Sequence, residues 1–271
     1  MRILWSVVVA GALVGVAQGQ TASQMPEYSA ETVVCHASLR VGPLTPNALV
    51  SIFGKNLAWV TRHRRDEDAA GGVLPLILPG TSVMVMVNGL AAPVEMVSPE
   101  QVMFLMPPNL RAGEAEVRLV HAGRAGPGVK VEVAESAPEL FVWEEGVALA
   151  RDPETMEWVE PGAPAGAGRA VVLYAAGLGE TEPVLGYREM PMEPAEIAAR
   201  DDLVVWLNDE MVGEIGYVGV MPGFPGLYEI WLRLPDMTPS NPRVRLQMGE
   251  HMSRDEIRLA VDGYQVPEGD G

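Results

Sequence analysis

Ser82-Val83-Met84-Val85-Met86-Val87, then Asn88-Gly89, then Ala92 to Val97 is the stretch whose reading decides the fold. Six residues of β-branched and long apolar side chains make a strand. Asn88-Gly89 supplies two positions that tolerate positive φ, as a tight hairpin turn requires. Ala92 to Val97 then returns as a second strand. Working outward, Ala48 to Phe53 is a short apolar run ended by Gly54. Arg62 to Gly72 is charged and aperiodic, so it reads as a loop. Gln101 to Met106 is a strand stopped by Pro107-Pro108. Ala115 to Val120 and Val129 to Val133 alternate apolar and polar, the pattern of strands with one buried face.

The same order recurs downstream. Arg169 to Ala175 matches the strand before Gly54. Leu203 to Leu207 meets Asn208-Asp209 where the first copy has Asn88-Gly89. Gly213 to Val218 returns, Leu227 to Leu234 ends at Pro235, and Val244 to Met248 with Ile257 to Val261 repeats the final hairpin. Two units of about 120 residues with many short strands and turns predict an all-β chain of two tandem β-sandwich domains. The expected plan is a signal peptide over 1–19 and a flexible lead over 20–31. Domains follow over 32–138 and 139–263, with a tail over 264–271. The one helical candidate is Glu193 to Arg200, with Pro194 near its start.

Composition narrows the function. The 271 residues carry a net charge of −17, so a phosphate backbone is an improbable partner. Residues 20–138 hold nine basic and eleven acidic side chains, whereas 139–271 hold nine and twenty-five. The second unit therefore carries nearly all the charge. Arg2, the apolar run from Ile3 to Ala17 and Ala17-Gln18-Gly19 read as an export signal, too short to span a membrane. No other stretch reaches transmembrane length, so no span is expected in the mature chain, and the expected location is secreted. The single cysteine, Cys35, reads as a small buried core residue. Cys35 and His36 are adjacent on a strand and point to opposite faces, so they do not make a nucleophile and base.

A family resemblance rests on specific residues. Val33-Val34 with Ala37-Ser38, Val50 to Gly54 with Asn56-Leu57, and Val87-Asn88-Gly89 with Ala92-Pro93-Val94 form its first half. Val171 to Ala175 with Gly177-Leu178-Gly179, and Pro222-Gly223-Phe224 with Gly226-Leu227-Tyr228, form its second. Together they resemble the Solibacter-type C-terminal domain of secreted acidobacterial proteins, in order from about Val33 to Val261. The resemblance implies paired immunoglobulin-like sandwiches of the IPT/TIG kind. It supplies no catalytic residue. Cys35-His36 and Asp152 to Thr155 depart from the family pattern.

No constellation here carries chemistry of its own. The histidines at 36, 63, 121 and 251 are scattered and read as surface or loop residues. There is no nucleophile-elbow motif and no dinucleotide fingerprint. Glu144-Glu145, Asp201-Asp202 and Asp209-Glu210 read as solvated acidic turns. Asp152, Glu154 and Glu157 form the best local cluster for Ca²⁺. Trp143, Trp158, Trp206, Trp231 and Tyr228 raise a carbohydrate platform, with Trp206 and Trp231 as ligand-binding candidates. Tyr228 and Ile230 share a strand face opposite Trp231, so one of these faces must be core. Met84, Met86, Met103 and Met106 read as core filling. The reading is an exported, non-catalytic module without cofactor, for an extracellular protein or polysaccharide partner. A carbohydrate- or Ca²⁺-binding module is the alternative and a small hydrolase the remote one.

Overall fold

The computed structural model describes residues 25–143 and 146–264. The export signal and the pair Glu144-Glu145 lie outside the described residues. So does the expected tail, apart from Tyr264. Within them the chain is all-β, with short 3₁₀ turns and no helix long and apolar enough to cross a membrane. The first unit comprises β1 (Val33–Cys35), β2 (Leu49–Phe53), β3 (Arg62–His63), β4 (Val83–Val87), β5 (Leu90–Ala92), β6 (Val94–Val97), β7 (Gln101–Leu105), β8 (Gly113–His121), β9 (Arg124–Ala125) and β10 (Val129–Val133). The second comprises β11 (Glu139–Leu140), β12 (Ala150–Arg151), β13 (Trp158–Val159), β14 (Ala165–Gly166), β15 (Ala170–Ala176), β16 (Thr181–Glu182), β17 (Ala195–Ile197), β18 (Leu203–Leu207), β19 (Glu210–Met211), β20 (Ile215–Val220), β21 (Tyr228–Arg233), β22 (Val244–Met248), β23 (His251–Met252) and β24 (Val261–Asp262).

The first unit is a sandwich of two antiparallel sheets, ordered β1-β2-β7-β6-β3 and β10-β8-β4-β5. Asn88 and Gly89 both take positive φ and join β4 to β5. The expected return strand over Ala92 to Val97 is split, because Pro93 has no N–H to continue the ladder. Leu90–Ala92 pairs β4 in one sheet, and Val94–Val97 crosses to pair β7 in the other. The inward residues Val83, Val85 and Val87 meet Val50, Ile52 and Phe104 in one core. Each such side chain contributes about 1.5–3 kcal/mol by leaving water. The 62–72 loop is tied by Arg62 to Asp68 at 2.7 Å. Part of the segment expected to be flexible is docked: Tyr28 Oη donates to Pro127 O at 2.6 Å and accepts from Leu119 N at 2.7 Å.

The second unit has a larger sheet, β13-β12-β15-β21-β20-β17-β16 with β11 also on β15, facing β19-β18-β22-β23. Its core holds Leu173, Val205, Tyr228, Ile230 and Leu246. The helix expected over Glu193 to Arg200 is absent. Ala195 and Ile197 alternate into the core as β17, and burial of these two decides against a helix. The expected last hairpin also differs. Ile257 to Val261 meets the start of β22 through Val244 N to Ile257 O at 2.9 Å and an isolated bridge at Arg243–Arg258, and β24 instead pairs in parallel with β14. The first unit carries the same device in miniature, since Leu44 pairs in parallel with Val133.

The units meet along a broad joint. Ala137 N donates to Gly177 O, and a Cβ on Gly179 would lie 3.0 Å from Glu135 O. The turn before β21 reaches into the first unit. Gly226 has φ +78°, and a Cβ there would lie 2.9 Å from Leu105 Cδ1 and 3.0 Å from Leu49 N. Between β16 and β17 the chain pairs again with the first unit, through Leu74 N to Arg188 O at 2.7 Å and Arg188 Nε to Leu74 O at 2.8 Å.

Candidate functional site

The outer face of the larger sheet in the second unit gathers the aromatic side chains. Strand alternation sends Tyr228, Ile230 and Leu232 into the core and leaves Glu229, Trp231 and Arg233 outside. On β15, Val172 and Tyr174 face outward in the same way. The registers Arg151–Trp158, Arg151–Val172 and Val172–Trp231 place these four residues in one row across four strands. Neighbouring strands are about 4.8 Å apart, so the row spans roughly 14 Å.

Half of the row is packed. Trp158 meets Trp143 edge-on at 5.3 Å and Tyr174 at 5.8 Å, with the Arg151 guanidinium 4.3 Å from its ring centroid. Tyr174 is 1% exposed beneath them. Burial, then Glu229, pushes its hydroxyl up to about 12. The other half is open. Trp231 is 41% exposed, and its Nε1 donates to Glu229 Oε2 at 3.1 Å. A bulge in β20 sets Gly216 and Tyr217 opposite Trp231. The hydroxyl end of the Tyr217 ring crosses Gly219, where a Cβ would collide with it. Its hydroxyl donates to Val220 O at 3.2 Å. Burial, then Glu229 and Glu196, raises that hydroxyl above its ordinary range. Flat rings and carboxylates thus share one exposed surface.

The structure separates the two tryptophan candidates. Trp231 lies on the outer face of the larger sheet, whereas Trp206 lies on the smaller sheet and bonds Gln247 Oε1 at 3.0 Å. They cannot form one platform. Tyr228 is core. The Ca²⁺ cluster is likewise not assembled. Asp152 Oδ1 caps its own turn by accepting from Glu154 N and Thr155 N, Glu154 pairs with Arg169 at 2.6 Å, and Glu157 is exposed apart from both. Among the described residues no three His, Cys, Asp or Glu side chains group closely enough to hold a metal ion.

Cys35 is buried in the first core, and burial pushes its thiol up. His36 turns away and bonds Ser51 Oγ at 2.9 Å. Two histidines depart from the surface reading. His36 is part-buried against Phe141, and burial lowers it to about 4. His121 is buried on β8, with Nδ1 3.2 Å from Asn56 O and Trp59 packed edge-on at 4.5 Å. Sequence reasoning missed Tyr217 and Glu229. The signal for Tyr217 was the glycine two residues later, on the same strand face.

No protein-family model matches the sequence, and no curated protein matches it. Among solved structures, the chain is similar to a surface glycan-binding protein B of the Bacteroides ovatus mixed-linkage glucan utilization locus, in complex with a mixed-linkage heptasaccharide. Identity is 11% and the TM-score 0.36, over 89% of this chain and 45% of that one. A surface glycan-binding protein from Prevotella bryantii gives 12% and 0.27, over 86% and 41%. The I9–I11 tandem of titin gives 8% and 0.23, over 83% and 64%. The chain spans less than half the length of the first two. Similarity at this level transfers no ligand and no partner.

Proposed function

We propose that the chain is an exported, non-catalytic module whose two sandwiches form one body, and that the outer face of the larger sheet meets an extracellular partner. The supporting observation is the open half of the aromatic row, where exposed Trp231 lies beside half-buried Tyr217 and Glu229 on the sheet. A tryptophan on such a face is the kind of residue that dominates binding energy. A second reading, a glycan as that partner, is favoured by the aromatic rings of Trp231 and Tyr217 beside the Glu229 carboxylate on one sheet face. A sugar ring stacks on a flat aromatic ring and offers hydroxyls to neighbouring carboxylates.

The test is Trp231→Ala. Its indole is partly in water, so the fold is expected to survive with an unchanged melting temperature. Binding to a partner recovered by pull-down, or to immobilised polysaccharides, is expected to weaken by about 2 kcal/mol, roughly thirtyfold. Unchanged binding would remove this face from the reading. Retention only on the polysaccharides would select the glycan.

A further inference from the structure

A second site stands apart from the aromatic face and does not depend on it. Where the units join, a cleft of about 430 Å³ opens between the turn after β1, the linker at Ala137-Pro138-Glu139 and the loop after β23. Clefts of this size at domain interfaces are common ligand sites. This one is polar. Ser38, 6% exposed, lines it with an enclosed hydroxyl that has no hydrogen-bond partner. Glu139 Oε2 and both Nε and Nη2 of Arg254 are enclosed and unpartnered as well. Nε and Nη2 are one edge of the guanidinium, the fork that takes two oxygens of a carboxylate side by side.

Charge permits a ligand of that kind. The net charge of the whole chain is −17, yet the lining of the cleft is close to balanced. Arg40 and Arg254 line it, and Asp255 on its rim is already paired with Arg243 and Arg245 at 3.3–3.4 Å. Only Glu139 and Glu256 remain against the two lining guanidiniums. Burial pushes Glu139 up, against the pull of Arg254, Arg40 and the neighbouring Ser38 hydroxyl. An isolated anion would leave Ser38 and Glu139 unsatisfied, and a neutral polyol would leave the fork unused.

We propose that this cleft binds a carboxylate bearing nearby hydroxyls, of the kind a uronic-acid residue presents. Its carboxylate takes the Arg254 fork, and its hydroxyls meet Ser38 and Glu139. The experiment titrates the full chain with D-glucuronate, D-glucose and acetate, and follows backbone amide shifts by NMR. Glucuronate is expected to give saturable shifts over residues 38–43 and 251–256. Glucose and acetate are each expected to bind about tenfold more weakly or less, about 1.4 kcal/mol. Arg254→Gln should abolish saturation, and Ser38→Ala should weaken it while amide dispersion stays native. Absence of saturable shifts with glucuronate overturns the proposal. So does an equal response to glucose or to acetate, or an Arg254→Gln variant that folds and still binds.

Discussion

His36 shows how one side chain couples the joint to pH. It sits between Ser51 and Phe141, and burial lowers it from 6.5 to about 4. In the unfolded chain it titrates at its ordinary value. Stability from the neutral ring is therefore whole above pH 6.5. It is lost as pH falls toward 4, because the unfolded state takes up the proton first. At about 1.4 kcal/mol per unit, the loss reaches at most about 3 kcal/mol. Chemical denaturation of wild type and His36→Gln at pH 7 and pH 4 isolates it: the gap between the two proteins should shift in favour of the variant at pH 4. A constant gap would mean the imidazole is solvated. Neither the depressed value nor the contact with Phe141 was legible in the sequence. Phe141 is 105 positions away, and local pattern holds no record of what folds over a strand.

At the scale of elements, patterns with a short range were legible and those with a long range were not. The alternation of β4, β8 and β10 and the Asn88-Gly89 turn follow from adjacent residues, and they appear as read. The split at Pro93, the parallel pairing of β14 with β24 and the absence of a helix at 193–200 each depend on a distant strand. The aromatic row was half legible. That Trp231 lies opposite Tyr228 and Ile230 followed from alternation along β21, but which face is outward, and its separation from Trp206, needed the sheet assignment. Gly219 belongs to this scale. A Cβ there would collide with Ala195 O on β17 and with the Tyr217 ring. Gly219→Ala is expected to cost about 1–3 kcal/mol by overpacking. It should also raise amide exchange along β17 and β20. Wild-type exchange in the variant would show that the strands are free to separate.

Across the whole molecule the joint decides behaviour. Gly177, Gly179 and Gly226, read first as parts of turns or family signatures, turn out to press against the other unit. At these three positions a Cβ would meet the first unit. Calorimetry of the native chain is therefore expected to show one cooperative transition. Gly226→Ala forces an alanine into φ +78°, at about 1–2 kcal/mol, and pushes its Cβ against Leu105 and Leu49. Two resolved transitions are expected from that variant. Two independent transitions in the wild type would show that the clasp carries no coupling.

The parallel pairs near the ends of each unit have a mechanical consequence. Leu44 N donates to Glu132 O and Ala134 N to Leu44 O, both at 2.9 Å. In the second unit Ala165 N donates to Ala260 O at 3.0 Å, and Arg258 and Gly146 are joined in the same sense. A tug on the two ends of either unit draws these segments past one another along their length. The bonds across each pair are then loaded together instead of peeling apart one after another. A chain tethered at one end and pulled at the other would resist as a clamp and give way abruptly.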